Sequence, residues 1–426
     1  MTAPAPATTA PHHHPSLLAA VQGQPRTVWV MAFATVIAFM GIGLVDPILL
    51  SIADGLHATP SQTTLLFSSY LAFQVLTMLA TGTFAARFGA KRTVLVGLTI
   101  IVVFAGACAA ANSIGVLIGL RAFWGMGNAF FIATALTVIV GAASGGQTAA
   151  ILLYEAALGI GFSVGPLVGA GLGHLSWRAP FAGTAILMLV ALGLSITQLP
   201  ADEPSRAHVS MLAPLRALRH RRLFRVSLGS AFYTAAFFTV ISWTPFVLGF
   251  SALATGAVFF GWGVCVAAAS VILAPRIAGR YGERSTALGA LFGYALLMIA
   301  FAFGSEPVVV AATVLSGICS GLLNTLFTGM AMSVSDAPRP IASAGYNFCR
   351  WLGGAVAATL VAHIADWLGS PRAPFVVAIV LSLLAAGSLG VGRGRRLPDP
   401  REVPEQAAVV GDAAVGAVDG GEPSRA

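Results

Sequence analysis

Charged side chains are scarce in this chain: Asp, Glu, Lys and Arg together make up 9% of its 426 residues. Because a soluble domain carries about 25% charged residues, the composition excludes an ordinary soluble protein. Cysteine is rare as well, and the four cysteines fall in apolar stretches without ligand or disulfide spacing. The sequence also lacks a metal-ligand cluster, a nucleophile–base pair and a phosphate-binding loop. These absences predict a protein that is not an enzyme and that uses neither a metal nor an organic cofactor.

Long hydrophobic stretches, in contrast, are abundant. Hydrophobic residues make up 57% of the chain, and the mean hydropathy is +0.87. The apolar stretches run to about 20 residues, which is typical of membrane-spanning helices and too long for barrel strands. One long polar break divides them six and six. We therefore predict an all-α membrane protein with twelve transmembrane helices, which cover residues 28–50, 63–85, 93–111, 114–137, 149–173, 180–198, 224–247, 253–275, 286–303, 308–331, 342–364 and 374–392.

The basic residues predict the orientation. Nineteen of the 23 lie in the tails, in the loops after even-numbered spans or, for Arg225, at the border of such a loop; the other four are Arg121, Arg178, Arg350 and Arg372. The positive-inside rule then places both termini in the cytoplasm of a multi-pass protein of the plasma or inner membrane. This asymmetry accounts for the net charge of +8 without a nucleic-acid partner. The expected surroundings are the lipid bilayer and a small-molecule substrate, and the expected oligomeric state is a monomer.

The chain is an internal duplication. Arg87-Phe88-Gly89 after span 2 matches Arg280-Tyr281-Gly282 after span 8, at an offset of 193 residues. Arg178-Ala179-Pro180-Phe181 before span 6 matches Arg372-Ala373-Pro374-Phe375 before span 12, at an offset of 194. Two matches at nearly one offset predict parallel six-helix repeats. The predicted units are a disordered tail 1–25, a six-helix bundle 26–199, a loop 200–223, a second bundle 224–395 and a disordered tail 396–426.

Three motifs add a family resemblance. Gly82-x-x-x-x-Arg87-x-Gly89-x-Lys91-Arg92 resembles the 2–3 loop signature of the major facilitator superfamily, and Leu120-Arg121 followed by Gly125 and Gly127 resembles its fourth-span signature. Gly161-x-x-x-Gly165-Pro166-x-x-Gly169 resembles the fifth-span motif of the drug:proton antiporter branch. The resemblance covers residues 26–395 and implies a twelve-helix fold in two repeats. The chain departs from these patterns at Ala86, where an Asp is usual, and at Leu152 and Ala170, where Gly is usual.

Apart from Arg225, the second residue of span 7, four charged residues lie inside the spans: Asp46, Arg121, Glu155 and Arg350. Each costs roughly 2.5–3.5 kcal/mol at mid-membrane, so each calls for a partner or a function. Asp46 and Arg121 enter the membrane from the same side to similar depths, which suggests an ion pair between them. The alternative is that Asp46-Pro47 simply ends span 1.

Glu155 is the other candidate proton carrier. An apolar surrounding favours the protonated form of a carboxyl group, which would let Glu155 exchange protons near neutral pH. Arg350 is its possible ion-pair partner. A purely structural role for either charge is the alternative interpretation.

Spans 1, 4, 7 and 10 line the cavity in the family that this chain resembles. The resemblance therefore implies candidate substrate-binding residues on three of them: Trp124, Asn128, Phe232, Trp243 and Asn324. Aromatic rings beside sparse polar atoms suit an apolar or amphipathic organic molecule.

The glycines of span 5 recur every fourth residue and leave a groove for a neighbouring helix, while Pro166 removes one helical hydrogen bond and favours a kink. An offset of 193 residues recovers one glycine, Gly354, in the second half, but no proline. This asymmetry predicts a gating role, and the candidate gating residues are Arg87, Gly89, Gly161, Gly165, Pro166 and Gly169.

The sequence therefore predicts a secondary transporter that exports small organic compounds in exchange for protons by alternating access, with the proton gradient as driving force. One alternative is a permease of the same fold that imports a sugar or another metabolite. A more distant alternative is a membrane protein without transport activity, such as a sensor or an intramembrane enzyme.

Overall fold

The computed structural model describes residues 23–201, 210–334 and 339–390 of the chain. Twelve helices in this part are long and apolar enough to cross a membrane, as the sequence predicts. Their bounds are α1 Arg26–Gly43, α2 Pro60–Phe88, α3 Ala90–Ala109, α4 Ile114–Ala142, α5 Gly146–Gly173, α6 Ala179–Gln198, α7 Arg221–Leu248, α8 Ala252–Tyr281, α9 Glu283–Phe303, α10 Glu306–Ser333, α11 Arg339–Trp367 and α12 Ala373–Gly390. Helix α8 contains a π-helical turn, Ala269–Leu273. The predicted tails fall largely in residues 1–22 and 391–426, outside the described part.

Span 1 is shorter than predicted, and Pro47 explains why. Proline offers no N–H to the helix and disfavours helical geometry in the residue before it. Helix α1 therefore ends at Gly43, and a 3-10 turn, Asp46–Ile48, leads into a short helix, Leu49–Leu56. Asp46 thus lies in the turn after the first span; its side chain is outside the described part of the structure.

The two repeats use the same turns and the same loop contacts. Gly89 joins α2 to α3 with φ +89°, and Gly282 joins α8 to α9 with φ +83°. Only glycine adopts this conformation without strain. The Arg178 guanidinium donates to the Ala111 carbonyl at 2.8 Å, and the Arg372 guanidinium donates to the Gly304 carbonyl at 2.6 Å. Each arginine therefore holds the start of the last helix of its bundle against the preceding hairpin.

Two helix pairs make the most extensive contacts between the bundles. Helix α5 packs against α8, and α2 packs against α11, while α1 packs on α5 and α7 on α11 within the bundles. The described residues as far as Leu389 form one compact unit. We call the end of the bundle that carries the α2–α3 and α8–α9 turns the basic end. The opposite end carries the 3-10 turn after α1 and the last residues of α7 and α11.

Several polar side chains fasten the loops at the basic end. Gln24 lies in the predicted tail, yet it is buried, and its amide donates to the Ser144 carbonyl at 2.6 Å and accepts from the Ser144 N–H at 2.9 Å. Lys91 donates to the Leu199 carbonyl at 2.6 Å. Arg87 is exposed and lies over the Phe88 ring at 5.5 Å.

Candidate functional site: a buried polar network between the two bundles

Glu155 lies at the centre of a polar network inside the membrane-spanning part of the protein. It is fully buried on α5, nine residues after the helix begins at Gly146 and therefore about 14 Å from the basic end. The Thr328 hydroxyl on α10 donates to Glu155 Oε1 at 2.9 Å. Arg350 Nη1 on α11 lies 3.7 Å from the same oxygen. A carboxylate of the first bundle is therefore paired with a cation of the second.

Hydroxyl groups extend this network through the second bundle. The Ser230 hydroxyl on α7 donates to Tyr346 Oη at 3.3 Å, and Tyr346 Oη lies 3.3 Å from Thr328 Oγ1. Because the single hydroxyl proton of Thr328 is directed at Glu155, Tyr346 is the donor to Thr328. The result is a chain of three hydroxyl donors that all point toward the carboxylate.

Arg350 has a second partner, while one oxygen of Glu155 has none. Arg350 Nη2 donates to Asn324 Oδ1 at 3.1 Å, which fixes the guanidinium between α10 and α11. Glu155 Oε2 is buried and accepts no hydrogen bond from the residues that the structure describes. An unsatisfied carboxylate oxygen is expensive to bury, so this oxygen is the place where a proton would bind with the greatest relief.

Aromatic rings fill the space between the bundles beyond this network. Phe162 lies seven residues after Glu155 on α5, about 10 Å toward the opposite end. Its ring centroid is 5.5 Å from that of Phe39 on α1, 5.8 Å from Phe237 on α7 and 6.3 Å from Trp262 on α8. All four rings are buried. This aromatic cluster lies between the polar network and the opposite end of the protein.

The glycines of α5 let it approach α1 closely. A Cβ atom on Gly161 would lie 2.5 Å from the Val36 carbonyl oxygen, and one on Gly165 would lie 2.8 Å from the Met40 carbonyl oxygen. Gly169 meets the Leu44 carbonyl in the same way, and the Pro166 ring lies against Gly43. The predicted groove is therefore occupied by the backbone of α1.

A second small-residue face of α5 contacts the other bundle. Ser163 donates to the Phe260 carbonyl of α8 at 3.0 Å, and its side chain lies directly against Gly263. A Cβ atom on Gly159 would lie 3.1 Å from the backbone nitrogen of Ala267. Helix α5 is thus held between α1 of its own bundle and α8 of the other.

The row of α5 glycines Gly161, Gly165 and Gly169, which we call the glycine ridge, has a partial counterpart in the second repeat. An offset of 193 residues misses it. Gly353 packs against the Ala231 backbone of α7 as Gly161 packs against Val36 of α1, at an offset of 192. Close packing at this first glycine is therefore common to both repeats. Gly165 and Gly169 have Ala357 and Val361 at the same offset, so the rest of the ridge belongs to the first bundle alone.

Arg121 lies inside the first bundle. It is fully buried on α4, its Nη1 donates to the Gly41 carbonyl of α1 at 3.3 Å, and its guanidinium carbon lies 4.5 Å and 4.6 Å from the ring centroids of Tyr70 and Trp124. These contacts join α1, α2 and α4. The suggested pair with Asp46 involves a side chain outside the described part and stays a prediction.

The five candidate substrate-binding residues lie in different surroundings, and their role stays a prediction. Trp124 and Asn128 are buried within the first bundle, where the Asn128 amide donates to Gln74 Oε1 at 3.4 Å. Asn324 belongs to the network around Arg350, and Phe232 is half-buried against the core of the second bundle. Trp243 lines a cavity of about 520 Å³ at the opposite end.

Sequence reasoning singled out Glu155 and Arg350 and named Asn324 as a substrate-binding candidate, but it assigned no role to Thr328, Tyr346 or Ser230. Thr328 follows Asn324 by four residues and so shares its helix face, a spacing visible in the sequence. Ser230 and Ser163 are ordinary hydroxyl residues of apolar helices, and only the packing shows what they contact. No three His, Cys, Asp or Glu side chains in the described ranges lie close enough together to hold a metal ion.

Comparison with known proteins gives a consistent result. The sequence model of the family described as Major Facilitator Superfamily matches residues 31–358 and 248–415. The chain is 39% identical over 372 residues to the multidrug efflux protein YfmO of Bacillus subtilis, which covers 87% of this chain and 94% of that protein. It is 28% identical over 172 residues to the quinolone resistance protein NorA of Staphylococcus aureus, covering 40% and 44% of the two chains.

A solved structure shares the fold. The crystal structure of the human organic anion transporter MFSD10 (TETRAN) superposes with a TM-score of 0.70 and covers 85% of this chain and 99% of that one. The two sequences are 18% identical. The similarity therefore extends over twelve helices and not over a single motif.

Proposed function

This chain belongs to the Major Facilitator Superfamily, and from that premise we propose that it exports small organic compounds across the cell membrane in exchange for protons. Membership makes it a membrane transporter. Export is supported by the full-length similarity to a multidrug efflux protein and by the glycine ridge of α5. Coupling to protons is supported by the buried carboxyl group of Glu155.

The observation that carries the proposal is that Glu155 pairs with Arg350 across the two bundles. Alternating access requires the bundles to separate at one end while they close at the other. A charge pair that bridges them in the half of the membrane near the basic end holds that end closed. Protonation of Glu155 removes one charge of the pair, so it weakens the contact that must break before the basic end opens.

The exchange cycle follows from this switch. With the basic end closed, a proton that arrives from the opposite side neutralises Glu155 and releases Arg350. The bundles then rock, the basic end opens, and the proton leaves while substrate binds. Loss of the proton restores the carboxylate and its pairing with Arg350, which closes the basic end again and carries the substrate outward.

The direction of this cycle rests on the orientation of the chain. We place the basic end in the cytoplasm, because the arginines and lysines of the loops are concentrated there. At about 100 mV, one inward proton supplies about 2.3 kcal/mol, and one unit of pH adds about 1.4 kcal/mol. Together they support a gradient of a neutral substrate of roughly several hundredfold.

The test separates coupling from folding. Purified protein in liposomes should concentrate a transported compound when a pH gradient is applied, and Glu155→Gln should abolish this gradient-driven accumulation. The same variant should still exchange labelled for unlabelled compound without a gradient, because the amide keeps the shape of the side chain. Glu306→Gln is the matched control, since Glu306 is exposed at the start of α10.

Two outcomes would contradict the proposal. If Glu155→Gln concentrates the compound as well as wild type, Glu155 does not carry the coupled proton, and Asp46→Asn is then the decisive variant for the remaining acid. If wild type takes the compound up with the proton instead of against it, the protein is an importer of the same fold.

A further inference from the structure

The cavity at the opposite end lies between elements of both bundles. Its walls come from the start of α2, with Leu65 and Ser68, the end of α7, with Trp243 and Phe246, and the end of α11, with Thr359 and Asp366. Thr359 Oγ1 lies 3.3 Å from Ser68 Oγ, which ties α2 to α11 at the cavity wall. Because the hydroxyl proton of Thr359 is directed at the Ala355 carbonyl at 2.8 Å, Ser68 is the donor. Its volume of about 520 Å³ falls in the range of small-molecule sites, roughly 300–1,000 Å³.

The polar groups of this cavity favour a positively charged ligand. The Asp366 carboxylate has no basic side chain within 4 Å among the described residues, and none of the described lysines or arginines lines the cavity. Nδ1 of His363 lies 3.3 Å from the Thr359 carbonyl oxygen, which can only accept, so this nitrogen is the donor. The Asp366 carboxylate is therefore the negative charge that the cavity offers to a ligand.

The aromatic wall is fixed in place. Trp243 Nε1 donates to the Pro371 carbonyl at 2.6 Å, which orients the indole, and the Phe246 ring centroid lies 5.2 Å from that of Trp243. An oriented indole face attracts organic cations as well as apolar surface. Aromatic and aliphatic walls with one carboxylate at the rim suit an amphipathic cation.

We propose that this cavity is a binding site for amphipathic organic cations, with Asp366 as the charge-recognising residue and Trp243 as the aromatic wall. This proposal rests on the proposed function, because the cavity lies at the end of the protein from which an exported compound would leave. The site is separate from Glu155, because the aromatic cluster around Phe162 lies between the two. Its role is to hold a cationic substrate at the exit, while the proton is handled near the basic end.

The experiment compares a cation with an uncharged analogue of similar shape. Binding of tetraphenylphosphonium and of triphenylphosphine oxide to the purified full-length protein is measured by calorimetry in nanodiscs of zwitterionic lipid. Asp366→Asn should weaken tetraphenylphosphonium binding about fivefold, as expected for an exposed charge pair, and leave triphenylphosphine oxide within twofold. Trp243→Ala should weaken both probes. Asp54→Asn, an exposed acid at the same end outside the cavity, is the matched control and should change neither.

The proposal is wrong if Asp366→Asn binds tetraphenylphosphonium like wild type or if wild type binds neither probe. It is also wrong if Asp54→Asn weakens binding of the cation as much as Asp366→Asn does. If this site fails while proton-driven export remains, the proposed function stands without it. If tetraphenylphosphonium binds through Asp366 but no compound is exported against a proton gradient, the binding site stands and the proposed function fails.

Discussion

Removal of the Arg350 charge should destabilise the protein, and additional removal of the Glu155 charge should restore most of the lost stability. In Arg350→Met the carboxylate of Glu155 stays buried without a cation, because the nearest charge, at 3.7 Å, is gone. Breaking a buried pair from one side costs about 3–5 kcal/mol. The Coulomb attraction at this distance is of the same size, about 4 kcal/mol at an effective dielectric constant of 20. We therefore expect Arg350→Met to lower the free energy of unfolding by about 3 kcal/mol or more at pH 8.

The loss should depend on pH with a definite sign. A protonated Glu155 needs no cation, so acidification relieves the variant and leaves wild type less affected. The gap between Arg350→Met and wild type should be largest at high pH and should shrink by up to about 1.4 kcal/mol for each pH unit over which Glu155 takes up its proton. The double variant Glu155→Gln/Arg350→Met has no titrating group at this site, so its stability should lack this pH dependence.

The assay is a double-mutant cycle. The free energy of unfolding of wild type, both single variants and the double variant is measured by denaturant titration in mixed micelles at pH 6 and pH 8. The double variant should regain most of the stability that Arg350→Met loses, which gives a coupling energy well above the roughly 0.5 kcal/mol of independent sites. If the two single losses simply add at pH 8, Glu155 and Arg350 do not interact, and the switch described above has no basis.

Two further predictions concern packing and the hydroxyl chain. Gly165→Leu should lower the free energy of unfolding by about 1–3 kcal/mol, because the new side chain meets the Met40 backbone of α1. The control Gly171→Leu, in open space on the same helix, should leave it unchanged. Equal melting temperatures of the two variants would rule out the close contact. Thr328→Val should cost about 0.6 kcal/mol, the average for a hydrogen bond between membrane helices, whereas Thr325→Val, where the hydroxyl has no hydrogen-bond partner among the described residues, should cost nothing measurable in the same unfolding titration.

The fold could be predicted from the sequence because its signals are local. A span of about 20 apolar residues forms a helix in lipid whatever surrounds it, since its backbone polar groups have no other partners. The twelve helices and the family are confirmed on this basis. The end of span 1 was predicted wrongly, because hydropathy continues through Pro47 while the backbone hydrogen bonds do not.

The candidate site could be predicted from the sequence only in part. A charge in an apolar span stands out in the sequence, so Glu155 and Arg350 could be named, but a partner on another helix depends on which faces meet. Trp124 and Asn128 carry the same kind of signal, yet the structure buries them inside one bundle. Periodicity gives the face of a helix and leaves open which neighbour covers it.

The sequence by itself thus determined what must cross the membrane, which residues would be costly there, and which glycines would admit a close neighbour. Only the tertiary structure decided that α5 presents Gly161 and Gly165 to α1, Ser163 to α8, and Glu155 to α10 and α11. The physical reason is that hydropathy and helix geometry act within one segment, whereas a polar group in the membrane is satisfied by a partner from a distant part of the chain.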